Sequence, residues 1–118
     1  MARFPPGAIV VVDWRGGALP REPNKRWPAV VVEDTGLFDP DYPNVIVVPL
    51  TGDARLAIPG LSTAIDPTPE NGCESRCYAL APSVTAVSAR RVAATESRVS
   101  AEDLADIRRR IAEAIGLG

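Results

Sequence analysis

The chain has 118 residues, 46% of them hydrophobic and 24% charged, with a formal net charge of −2. That balance points to one globular domain over 1–118 and excludes global disorder. It also excludes a whole-molecule basic field, so any contact with a polyanion has to come from a local patch.

There is no histidine. Ser-His-Asp and Cys-His chemistry are therefore excluded, and catalysis has to rest on Arg, Asp, Glu, Lys, Tyr or hydroxyl groups. Cys73 and Cys77 are too few ligands for a metal centre, so no metal or other cofactor is expected, and the pair reads as two reduced thiols. No stretch approaches the roughly 20 apolar residues that span a bilayer. The opening Met1-Ala2-Arg3-Phe4-Pro5-Pro6-Gly7 lacks a signal-peptide pattern, so a cytoplasmic protein with no membrane partner is expected.

Three valine- and isoleucine-rich runs, 8–14, 29–33 and 45–50, read as strands. They are continuous rather than alternating, which predicts burial on both faces. Pro49 near the end of the third predicts an edge, bulge or bend there. Asp39-Pro40-Asp41 and Tyr42-Pro43 mark the preceding loop. Further short strands fit 54–58, 62–66, 75–80, 84–88 and 91–95, punctuated by Gly52, Pro59, Gly60, Pro67, Pro69 and Gly72. Such spacing is the pattern of a small barrel or sandwich.

The C-terminus changes period. Ser100 suits an N-cap, Glu102 and Asp103 suit the first turn of a helix, and Leu104, Ile107, Ile111 and Ile115 form a helical stripe. Gly116 fits the position just past the helix end. Arg108, Arg109 and Arg110 read as a solvated basic face.

Between the first two strands lies a Gly-rich loop carrying Arg15, Arg21, Glu22, Lys25 and Arg26. Positive charge on a β scaffold suits a polyanion, although a polar hairpin loop with solvated charges has the same composition. Trp27, before Pro28, suits either a core anchor or a stacking platform for a base. Thr51 closes the third strand, where its hydroxyl can donate to a phosphate or cap the turn at Gly52-Asp53. Arg76, within Cys73-Glu74-Ser75-Arg76-Cys77-Tyr78, suits a phosphate clamp or an exposed sheet face.

Together these segments resemble the MazF/PemK/Kid toxins of type II toxin–antitoxin systems. Gly7-Ala8-Ile9-Val10-Val11-Val12-Asp13 resembles the family's G-x-I-[VW]-x-V-D strand. Glu22 with Lys25-Arg26-Trp27-Pro28-Ala29-Val30-Val31-Val32 resembles E…R-P-x-[VL]-[VI]-[VI]. Val47-Val48-Pro49-Leu50-Thr51 is similar to V-V-P-[VL]-T, and Ala112 to Leu117 is similar to A-x-x-x-[LI]-G-L. Ser75-Arg76-Cys77 through Val84-Thr85-Ala86-Val87 looks like the strand pair before the last helix.

The resemblance implies a mainly β (α+β) fold, a small SH3-like β-barrel of MazF/CcdB type with a C-terminal α-helix. It implies a homodimer, a cognate antitoxin with an extended acidic tail, and a single-stranded RNA substrate cut without metal to a 2′,3′-cyclic phosphate and a 5′-hydroxyl. RNA follows from the mechanism, because only RNA carries the attacking 2′-hydroxyl. Carried over position by position, Arg26, Thr51 and Arg76 become phosphate ligands. Trp27 stands where the family has an arginine, Gly52 where it often has serine, and Tyr78 where the Kid branch has a carboxylate.

Arginine stays protonated, so proton removal falls to a carboxylate. Glu22 is the first candidate, with Glu74 and Asp53 as alternatives and Tyr78 only with a strongly lowered pKa. Arg15, Arg21, Lys25, Trp27, Asp53, Ser75 and Tyr78 fill the expected substrate-binding set. Two rivals share the fold class: a CcdB-like gyrase poison acting through the C-terminal helix, and a degenerate member that only binds RNA or antitoxin.

Overall fold

The β-branched runs fold as strands in the computed structural model, which describes residues 4–14 and 26–117. β1 (Ala8–Asp13), β2 (Arg26–Val31), β3 (Asn44–Thr51), β4 (Ser62–Ile65), β5 (Cys77–Leu80), β6 (Thr85–Ser88) and β7 (Val92–Arg98) precede α1 (Ala101–Ala114). Every pairing is antiparallel. The strands run β4-β5-β3-β2-β1-β7 across one sheet, with β6 also on β3. β4 and β7 end the path, so the barrel-like sheet is open.

Burial on both faces of β1, β2 and β3 holds as the continuous apolar runs predict. Ile9, Val30, Val32, Val48 and Leu50 face one cluster, which Ile107 of α1 completes. Their neighbours Val10, Val12, Ala29, Val31, Val45 and Val47 face a second cluster, covered by Phe4, Trp27, Val87 and Val92.

β3 is the hub. One edge pairs with β2. The other pairs with β6 through Asn44–Val47 and with β5 through Leu50 and Thr51. Pro49 sits in the gap between those two partners. Val32 N donates to Ile46 O (3.1 Å), so Val32–Ile46 and, two residues apart, Val30–Val48 and Pro28–Leu50 are the hydrogen-bonded positions of this ladder. Ala29–Pro49 is then a non-bonded pair, and the backbone nitrogen of Pro49 points away from β2, toward the partner gap. A missing N–H costs nothing there, so the proline sits at a locally edge-like position of the strand, one of the three accommodations (edge, bulge or bend) expected from the sequence.

Side chains finish both ends of the β2/β3 ladder. Pro28 cannot donate to Leu50 O, and the indole Nε1–H of Trp27 donates to it instead. At the other end Ile46 N donates to the buried Glu33 Oε1 (3.0 Å). The Val32 carbonyl, left without that donor, accepts from Arg108 Nε (3.0 Å), and Arg108 Nη2 donates to Glu33 O (3.0 Å).

Several boundaries differ from expectation. Residues 54–58 form no strand; Ala54–Leu56 is a 3-10 turn, because Asp53 accepts from Arg55 N and fixes an Asx-type turn. β2 begins earlier than 29, since Arg26 and Trp27 already pair with Asp13 and Val12. β5 begins at Cys77 rather than 75, and β7 runs on to Arg98. The arginine triplet of α1 is not merely solvated: Arg108 holds the chain just past β2 at Val32 and Glu33, while Arg109 and Arg110 both donate to Asp106.

The helix ends as its sequence predicts. Ser100 Oγ accepts from Asp103 N (3.0 Å). Gly116 adopts φ 86°, with Gly116 N donating to Glu113 O and Leu117 N to Ala112 O. That is a Schellman closure, which a residue with a Cβ enters at a cost.

Two outcomes follow from these contacts. Trp27→Phe keeps the ring but strips the donor from Leu50 O, and should cost about 1–3 kcal/mol in urea unfolding; an unchanged midpoint would show that the indole N–H does not complete the ladder. Burial opposes ionisation of Asp106, but hydrogen bonds from Arg110, Thr63 and Arg109 outweigh it and hold the carboxyl at about 2. The unfolded chain takes up that proton near pH 3.9, the ordinary aspartate value, so its stabilisation is full above about pH 4 and fades as pH falls through about 2. The urea midpoints of the wild type and Asp106→Asn should differ most at pH 5 and converge toward pH 2.

Candidate functional site

Residues directly opposite each other in a ladder share a face. Ile9 stands opposite Val30, Val11 opposite Pro28, and Asp13 opposite Arg26. Ile9, Val11 and Asp13 therefore share one face with Arg26, Pro28 and Val30.

Toward the Asp13 end this face carries a cavity of about 160 Å³, lined by Val11, Asp13, Arg26, Arg90, Arg91 and Ala93 among others. Arg90 and Arg91 arrive on the 3-10 turn Ala89–Arg91, capped by Ser88 Oγ, which accepts from Arg90 N (3.3 Å). Three guanidinium groups and one carboxylate thus border one recess. Arg90 and Arg91 escaped sequence reasoning because they lie far from Arg26 in the chain. The period-2 alternation of β1 could have placed Asp13 beside Arg26.

Toward the Ile9 end lies a second cavity, of about 240 Å³, bordered by Ile9, Pro28, Leu50, Thr51, Asn71 and Cys77 among others. Thr51 is buried at the end of β3. Its Oγ1 accepts from Asp53 N (3.0 Å). The turn-capping and donor readings are thus compatible: the acceptor side holds the turn, and the hydroxyl proton remains a potential donor.

Arg26 and Trp27 point opposite ways, as adjacent strand residues must. Arg26 borders the cationic cavity. Trp27 packs on the second core cluster and donates to Leu50 O. Its indole anchors the residue that precedes Thr51.

The other sequence candidates fall in different places. Arg76 lies one residue before β5, exposed, with Nε donating to Asp66 Oδ1 (2.8 Å). It also contacts Tyr78, which stands opposite Thr51 in the β3/β5 register. Ser75 is exposed, and its carbonyl accepts from Cys77 Sγ (3.5 Å). Asp53 takes Arg55 Nε and Nη2 at 3.0 and 2.9 Å. Those side-chain hydrogen bonds, more than any other cause, hold its carboxyl below the usual range, which makes it a poorer base. Arg15, Arg21, Glu22 and Lys25 lie outside the described residues. Among the described residues no cluster of metal-binding side chains occurs, and no helix is long and apolar enough to cross a membrane.

Comparison with known proteins agrees with this architecture. The chain is similar to a mycobacterial endoribonuclease solved in complex with its cognate antitoxin, at 18% identity and a TM-score of 0.71 over 96% of this chain and 95% of that one. MazF from Deinococcus radiodurans aligns at 19% identity and a TM-score of 0.73, covering 94% of each chain. The MazE–MazF complex of the same organism aligns at 18% identity and a TM-score of 0.67, over 96% of this chain and 95% of that one. At these identities the likeness shows the fold. No curated protein sequence matches the chain. The model of the PemK-like, MazF-like toxins of type II toxin–antitoxin systems matches residues 5–115. With nearly the whole chain matched, this protein belongs to that toxin family.

Proposed function

We propose that this toxin is a metal-independent endoribonuclease of single-stranded RNA, cutting by attack of a ribose 2′-hydroxyl on the adjacent phosphate. The observation that carries the reading is the pair of neighbouring recesses along β1 and β2, one bordered by Arg26, Arg90 and Arg91 and the next by Thr51 at the end of β3.

A phosphodiester laid along those recesses meets guanidinium groups suited to its non-bridging oxygens. The charge that grows on those oxygens as the 2′-oxygen attacks is stabilised by Arg26 and by the Thr51 hydroxyl. Rigid strands carry both groups, so little reorganisation is needed. Glu22 removes the 2′-hydroxyl proton. Asp13, opposite Arg26, orients that guanidinium. Arg76 and Tyr78 extend the phosphate path beyond Thr51, with Arg76 exchanging its Asp66 contact for the substrate. As the 2′-oxygen–phosphorus bond forms, the P–O5′ bond breaks and the leaving 5′-oxygen takes up a proton from protonated Glu22 or solvent, so the expected products are a 2′,3′-cyclic phosphate and a 5′-hydroxyl.

The proposed working form is a cytoplasmic single-domain protomer paired as a homodimer. Its proposed inhibitor is an antitoxin whose extended acidic tail occupies the same cationic face. Antitoxin complexes of the similar mycobacterial and Deinococcus proteins support such a partner.

One observation favours a binding-only member. Trp27, in place of the family arginine, is committed to the core and to Leu50 O. That reading predicts RNA or antitoxin binding without turnover.

The test is cleavage of varied single-stranded RNAs in EDTA. Turnover should persist without divalent metal, and Thr51→Ala should lower it about 10- to 100-fold, the scale of losing one transition-state donor. Thr51→Ser should retain most of the rate. Equal rates for wild type and Thr51→Ala would remove Thr51 from the chemistry, and RNA binding with no cleavage would establish the binding-only reading.

A further inference from the structure

Cys73 and Cys77 need a place that the phosphate chemistry does not give them. Both are unbridged and half-buried. Both border the Thr51 cavity, so a small reagent can reach them through it. Cys73 Sγ donates to Asn71 O (3.9 Å) and Cys77 Sγ to Ser75 O (3.5 Å), and the influence of Cys77 on the Cys73 thiol sets the two side chains near each other. The residues between them are Glu74, Ser75 and Arg76, so a bond between the sulfurs would close a short ring around Arg76.

The segment before Cys73 is already ordered. Buried Asn71 accepts through Oδ1 from Thr68 N (3.0 Å) and Cys73 N (2.9 Å), and donates through Nδ2 to Asp66 O (2.9 Å). Glu70 O accepts from Arg98 N of β7 (2.9 Å). Gly72, at φ +66°, passes so close to Ser97 that a Cβ would stand 2.8 Å from its Oγ. On the other side Cys77 is fixed as the first residue of β5, opposite Ile65. Two thiols held on ordered supports lose little entropy when joined.

We propose that Cys73 and Cys77 form a thiol modification site that closes to an intramolecular disulfide when it meets a low-molecular-weight disulfide such as oxidised glutathione. Burial first, then the hydrogen bond and charge of Cys77, push the Cys73 thiol up to about 11. Cys73 is therefore the protonated, resolving partner at neutral pH, and Cys77, whose sulfur makes the more exposed contact, is the sulfur the reagent meets first. The Cys77 thiolate bonds to one sulfur of the reagent and expels one glutathione thiolate. Cys73 then loses its proton to solvent, attacks the Cys77 sulfur, and expels the second. Two cysteine thiols are oxidised to one disulfide, and one reagent disulfide is reduced to two thiols. The ring takes the place of the present Cys73 Sγ–Asn71 O and Cys77 Sγ–Ser75 O contacts and draws in the wall of the Thr51 cavity.

The chemistry does not depend on nuclease activity, so its test is a mass measurement on the intact wild-type protein. Incubation with oxidised glutathione should lower the mass by about 2 Da, the loss of two hydrogens, and dithiothreitol should restore it. A proteolytic fragment should then contain Cys73 joined to Cys77. Closure should accelerate as pH rises from 7 toward 9, because Cys73 must ionise. Cys77→Ser should neither lose this mass nor react readily. Cys73→Ser should gain one glutathione and stop. A wild-type protein that carries one or two stable glutathione adducts, or that does not react at all, would overturn the proposal.

Discussion

β3 imposes the constraint on which the rest of the structure depends. It must pair with β2 on one edge and with two successive strands on the other, and it must end with Thr51 beside a cavity. Two prolines touch that arrangement, and each removes a backbone donor. Pro49 does so where β3 has no partner on that side. Pro28 does so where a donor is needed, and the Trp27 indole supplies it. At the opposite end Glu33 and Arg108 perform the same service for Ile46 and Val32. An unpaired buried carbonyl or amide costs more than an average hydrogen bond contributes, so these closures bear on the whole sheet.

The same strand alternation organises the candidate site. Residue 26 faces the cationic recess, and residue 27 faces the core. A one-residue exchange of arginine and tryptophan would bury a guanidinium and expose an indole. Trp27 instead packs on the core and holds the carbonyl of Leu50, immediately before Thr51. Arg90 and Arg91 enrich the recess from a turn between β6 and β7, so positive charge gathers on one face of a chain whose net charge is −2. That locality suits a polyanion groove in a protein with no overall basic field.

Much of the fold was legible because it rests on strong local patterns. The valine runs, the Ser100 cap, the helical stripe and Gly116 each state their structure in adjacent residues. Residues 54–58 misled because their apolar content suggested a strand, whereas the Asp53 side chain decided for a turn. Arg108 misled because a charge run carries no sign of the carbonyls it will meet two elements away. For the site, the sequence pointed to Arg26 and Thr51, and the structure sets them on neighbouring cavities. Arg90 and Arg91 were hidden, since only the register of β7 on β1 brings them near Arg26. Arg76 looked like a strand residue and proves to precede the strand, in contact with Asp66.

The central claim is that a ribose 2′-hydroxyl is the nucleophile, acting on a phosphate held between the Arg26 and Thr51 recesses. The most direct measurement uses an RNA that the wild type cuts, resynthesised with a single 2′-deoxy nucleotide on the 5′ side of the scissile phosphate. The account predicts that cleavage at that position disappears while the substituted RNA still competes for binding, because only the nucleophile has been removed. Cleavage of the substituted RNA at the original rate would contradict it.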